Sequence, residues 1–90
     1  MGNLSQPAII YSHRRHFVVR ATIFLKSSTG PKPYKTGFFS KREYDRLLSD
    51  FDKFLKTGLP KHGIYNEDLG TSGEEIIFLD FDAIAEIKKS

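Results

Sequence analysis

The sequence predicts a small α+β fold in which a mostly antiparallel sheet, in β-β-α-β-β order, carries one amphipathic helix on one face. Three observations carry this reading. Residues 17–26 alternate between two faces as a half-buried strand does, and a turn cluster then returns the chain into a second β-rich run. Residues 40–58 hold a capped helix with a single apolar stripe. The segment after it is again rich in branched and aromatic residues.

Taken in order, residues 1–7 are polar, end in Pro7 and read as a loose leader, so that residues 8–90 form a single domain. Ala8-Ile9-Ile10-Tyr11 reads as an extra N-terminal edge strand. In the first long strand, Phe17, Val19, Ala21, Ile23 and Leu25 make one face, which is expected to meet the core. His16, Val18, Arg20, Thr22, Phe24 and Lys26 make the other. Ser27-Ser28-Thr29-Gly30-Pro31-Lys32 is a turn cluster, and residues 34–39 read as the returning strand.

Ser40-Lys41-Arg42-Glu43 has the capping-box form, which predicts that the serine oxygen accepts from a backbone N–H and that Glu43 reaches back to the cap residue. Tyr44, Leu47, Leu48, Phe51, Phe54 and Leu55 then recur at helical spacing and are expected to pack on the sheet. Gly58 ends the helix and Pro60 prevents its resumption. Gly63-Ile64-Tyr65 reads as a strand stub, Gly70-Thr71-Ser72-Gly73 as a turn, and residues 75–79 as a buried strand. A turn at Asp80-Phe81-Asp82 and a last strand through Ile87 complete the order; a short C-terminal helix fits the same residues.

Charge is the functional signal. The first 42 residues contain eight lysines and arginines and no acid, while the remainder holds six bases against all eleven acids. The basic block falls on the first hairpin and its approaches, with Arg14, Arg15, His16, Arg20, Phe24, Lys26, Lys32 and Lys35 as candidate contact residues. Cations on such a face suit an acidic protein surface or another subunit of the same chain. Cations interleaved with an aromatic ring also suit single-stranded nucleic acid, where phosphates are neutralised and a base stacks. A plain solvated face, or one covered by another part of the fold, explains the same residues without a partner.

Other chemistry finds less support. Asp80 and Asp82, two residues apart, could share a divalent cation, but the spacing lacks the ligand ladder of a calcium loop, and Asp80 reads equally as a turn residue binding its own backbone. Glu67, Asp68, Glu74 and Glu75 flank the glycine-rich loop and are expected to be solvated or to answer the basic hairpin, across the fold or in a neighbouring subunit. His13, His16 and His62 could converge on zinc, yet Arg14 and Arg15 would repel the ion, and the first two extend the basic patch instead. No nucleophile elbow, phosphate-binding glycine loop or helical zinc motif is present. The chain is therefore expected to be a non-enzymatic binding or regulatory module, with no cofactor and no small-molecule substrate. With no cysteine and no apolar run that approaches a bilayer span, no membrane association and a cytoplasmic setting are expected.

Overall fold

The computed structural model describes residues 18–70 and 73–90. Along the chain these form β1 (Val19–Leu25), β2 (Lys32–Phe39), α1 (Lys41–Thr57), β3 (His62–Asp68), β4 (Glu74–Asp80), a 3-10 turn (Phe81–Ala83) and β5 (Ile84–Lys89). The strands make one antiparallel sheet ordered β4-β3-β2-β1-β5, on which the helix packs. This is the expected small α+β fold. The stub at 63–65 is a full strand, β3, and the C-terminal segment takes the turn-and-strand form. The leader and the extra strand at 8–11 lie outside the described residues, as do Thr71 and Ser72 of the glycine turn.

Alternation along β1 places Val19, Ala21 and Ile23 in the core, as expected, with Leu25 packed at its margin. The returning strand is less regular. Arg20 faces Phe38 but Thr22 faces Lys35, so Thr36 and Gly37 together oppose Ala21 in a β-bulge. The bulge resolves its own hydrogen bonding: Thr36 Oγ1 accepts from the Ala21 N–H at 3.1 Å and donates to the Gly37 carbonyl at 2.6 Å. One extra residue reverses the facing of everything before it, so Tyr34 lies beside Ile23 on the core side and Lys35 turns outward.

The helix begins and ends as its sequence requires. Ser40 is extended and its Oγ accepts from the Glu43 N–H at 3.0 Å, while Gly58 takes a left-handed conformation, φ 84°, and donates to the Phe54 carbonyl at 2.7 Å. Only half of the capping box forms. The Glu43 carboxylate does not return to Ser40; it accepts from Arg46 and from the Asn66 N–H of β3 at 2.8 Å. On the apolar stripe, Tyr44, Leu47 and Phe51 are buried and Leu48 and Phe54 pack at the margin, but Leu55 lies at its edge and stays largely in solvent. Phe51, Phe54 and Phe81 form an aromatic cluster with centroids 5.7 to 6.5 Å apart, which ties the helix to the 3-10 turn.

β4 and β5 lie at opposite edges of the sheet, yet only the three residues Phe81–Ala83 join them. The sheet must therefore curl until its edges approach, which strand twist favours and which lets β3 and β4 close over the core. Asp80 starts that short connection by accepting from the Asp82 N–H at 3.1 Å, the turn role anticipated for it. β4 is not the buried strand its composition suggested. Leu79 is buried and Ile77 half-buried, whereas Ile76 and Phe78 face outward, because a sheet with its helix on one face leaves alternate residues of an edge strand in water.

Candidate functional site

The outward face of β2, β1 and β5 brings Arg20, Lys35 and Lys88 together within three rows. Across the strands, Phe38 neighbours Arg20; Lys35 neighbours Thr22, which neighbours Lys88; and Pro33 neighbours Phe24, which neighbours Glu86. Arg20 is held in place by donating from Nε to the Thr36 carbonyl at 2.9 Å, and its guanidinium carbon lies 4.9 Å from the Phe38 ring centroid. The Lys88 ammonium stands 5.8 Å over the Phe24 ring and 3.9 Å from Glu86. Three cations thus share a face to which these three strands contribute one acid, Glu86, while Asp68 of β3 lies beside Phe38 at its border. Ser90 lies beside them, with its N–H on the Arg20 carbonyl and its hydroxyl 2.6 Å from that of Thr22.

Of the residues singled out by sequence, Arg20, Phe24 and Lys35 come together here. Lys32 faces Leu25 and so lies on the opposite side of the hairpin, and Lys26 follows the end of β1, with its N–H on the Ala83 carbonyl. Arg14, Arg15 and His16 lie outside the described residues. Lys88 was not anticipated, because nothing local to residues 84–89 announces that β5 pairs with β1. Phe38 was likewise missed as a contact residue, since its facing depends on where the bulge falls.

Beside this face a shallow cavity of about 200 Å³ is lined by Arg20, Lys35, Gly37, Phe38, Asp68 and Leu69. It sits where β2 meets β3, and that junction is a single pair, Phe38 with Asp68. The junction contains two of the acids expected to be solvated or to answer the basic hairpin. Glu67 is buried and its Oε2 accepts from the Gly37 N–H at 2.9 Å; Asp68 is buried as well, its Oδ1 accepting from the Gly70 N–H at 2.9 Å. Glu67 thus answers the first hairpin across the fold, through a backbone N–H rather than through a cation.

Elsewhere β3 is held by the helix. Arg46 donates to both carboxylate oxygens of Glu43 and to the Ile64 carbonyl, while Glu43 accepts from the Asn66 N–H, so the pair binds one donor and one acceptor of the strand. The hydrogen bond from Arg46 holds the Glu43 carboxyl below its usual range, against the effect of burial, and the same bond raises Arg46. Tyr65, under the Arg46 guanidinium at 4.4 Å, donates to Asp50 Oδ2 at 2.8 Å; burial first and this bond second push its hydroxyl pKa up. Arg46 and Asp50 stand 3.9 Å apart, and each makes its shorter bond elsewhere. Asp52 and Lys56, four residues apart on the helix, form an exposed pair at 3.0 Å.

No group of three metal-ligating side chains occurs among the described residues, and no helix among them is long and apolar enough to cross a membrane. His62 stacks on Phe78 at 5.1 Å; His13 and His16, its suggested partners on zinc, lie outside the described residues. Comparison with protein families, with curated proteins and with solved structures finds no match.

Proposed function

We propose that this chain is a non-enzymatic binding module that engages an acidic protein surface through the outward face of β1, β2 and β5. One observation supports this reading above its alternatives. Both aromatic rings of the face are already covered by cations, Phe38 by Arg20 and Phe24 by Lys88, so the face offers positive charge rather than bare rings. A base stacking on either ring would first have to displace a cation, which weakens the case for a single-stranded nucleic-acid platform. Arg20 is also prepositioned by its bond to Thr36, which reduces the ordering cost of binding. A cytoplasmic setting, suggested by the cysteine-free composition, belongs to the same proposal.

The reading is tested with the full chain against two defined probes, a polyglutamate peptide and a single-stranded oligonucleotide. Binding to the acidic peptide that weakens with salt, and that Lys35→Glu with Lys88→Glu abolishes, is the expected result. Undiminished binding by that double variant overturns it. Preferential binding of the oligonucleotide, with log affinity falling at about 0.7 per phosphate contact against log salt, moves the assignment to nucleic acid.

A further inference from the structure

We propose that the edge of β4, which no strand pairs among the described residues, is a docking site for an extended, apolar and basic peptide segment of a partner protein, added as a sixth strand. The proposal does not rest on the basic face of β1, β2 and β5. It begins from the regularity of the edge. The ladder joining β4 to β3 runs without a bulge from His62 opposite Asp80 to Asp68 opposite Glu74. The bonds from the Leu69 N–H to the Gly73 carbonyl and from the Phe81 N–H to the Lys61 carbonyl bracket that ladder. Antiparallel pairs alternate between bonded and non-bonded, so Glu75, Ile77 and Leu79 exchange bonds with β3 while the N–H and C=O groups of Ile76 and Phe78 point away from it. Folded proteins blunt such an edge with proline, lysine or a bulge, and β4 has none of these.

The surroundings suit a strand on both of its faces. On the outer side Ile76 and Phe78 are 68% and 61% exposed, with Ile64 beside them at 54%. On the inner side a cavity of about 310 Å³ follows β4, lined by Ile23, Leu25, Tyr34, Ile77, Leu79 and Ile84. An incoming strand would bond to Ile76 and Phe78, with alternate side chains against the exposed isoleucines and over the cavity. Its charge follows from what flanks the edge. Residues 74–83 carry Glu74, Glu75, Asp80 and Asp82 and no lysine or arginine, so the complementary segment is apolar with basic residues at its end. The sequence at positions 8–16, Ala-Ile-Ile-Tyr-Ser-His-Arg-Arg-His, has this chemistry and supplies a synthetic probe.

The chain has no tryptophan, so Phe78→Trp in the full chain places a sole indole reporter at the edge. Titration with the synthetic nonapeptide is expected to give a saturable blue shift whose midpoint rises several-fold when salt is raised about tenfold. Adding Ile76→Pro removes a donor that β3 does not use and is expected to weaken binding at least tenfold, while Ile76→Val leaves it within about twofold. Ile76→Lys, which places a protecting charge on the same edge without touching the backbone, is expected to weaken it comparably. Absence of a shift while the indole emission is that of a solvent-exposed ring overturns the proposal, as does binding by the proline and lysine variants that is as tight as that of the Phe78→Trp chain with Ile76 intact. Blue emission without peptide overturns it too: independent of protein concentration, it assigns the edge to the chain's own residues 8–16; rising with concentration, it assigns the edge to a second copy.

Discussion

Hairpin β1–β2 has hydrogen-bonded neighbours on both sides, β5 beyond β1 and β3 beyond β2, whereas hairpin β3–β4 joins the sheet through the single pair Phe38 and Asp68. The first therefore draws its stability from ladders and from the core residues Val19, Ala21, Ile23 and Phe39. The second has a continuous internal ladder but is fastened to the remainder by side chains: Glu43 and Arg46 on the β3 backbone, Tyr65 on Asp50, and Glu67 on Gly37. Backbone ladders tolerate surface change, and side-chain fasteners do not. The two hairpins also divide the charge, with bases outward on the first and acids along the second, which is why different partner chemistry is proposed for each.

Four substitutions can break that contrast. Phe39→Ala removes a fully buried ring where the first hairpin meets the helix, and a loss of about 3 to 5 kcal/mol is expected in urea denaturation, lowering every probe together. Gly37→Ala strikes the junction instead. A methyl group there would stand 2.5 Å from the Asp68 carbonyl oxygen, and a cost of about 1 to 3 kcal/mol is expected. Hydrogen exchange should then show the amides of β3 and β4 opening before those of β1; equal loss in both would mean that the hairpins act as one unit.

Glu43→Gln loosens the fastener without a clash and is expected to cost about 1 to 2 kcal/mol at neutral pH. Because the Glu43 carboxyl is lowered by its bond to Arg46, its contribution is present above the ordinary carboxylate value and is lost as pH falls through the folded one. The wild type and the variant should therefore converge in stability on acidification below about pH 4. A constant difference would show that the charge is not what matters. Tyr65 acts at the other extreme: its raised pKa makes a contribution that fades as pH rises above the ordinary tyrosine value near 10. The smallest effect is expected at the proposed contact face, where Lys35→Glu should change stability by less than about 0.5 kcal/mol, read from the same urea curves.

Much of this was legible from residue order. The helix could be bounded to the residue because Ser40 and Gly58 act through bonds to groups three and four positions away. The role of Asp80 was legible for the same reason, since its partner is two residues on. Glu43 was misplaced because its local partner, the cap N–H, competes with Arg46 and Asn66, and the second of these is 23 residues distant. The contact face was half legible. Arg20 and Phe24 follow from alternation along one strand, but Lys88 joins them only because β5 returns beside β1.

Order along the chain determined the helix, its caps, the core face of β1, the small α+β class and the segregation of charge, since each depends on periodicity or on partners within a few residues. Tertiary structure decided the facing of Lys35 and Tyr34, through one extra residue in β2. It decided the exposure of Ile76 and Phe78, through the place of β4 at an edge, and the burial of Glu67, through the fold of β3 against Gly37. A strand's alternation tells which residues share a face. Which face meets water is set by the neighbours that arrive from elsewhere in the chain.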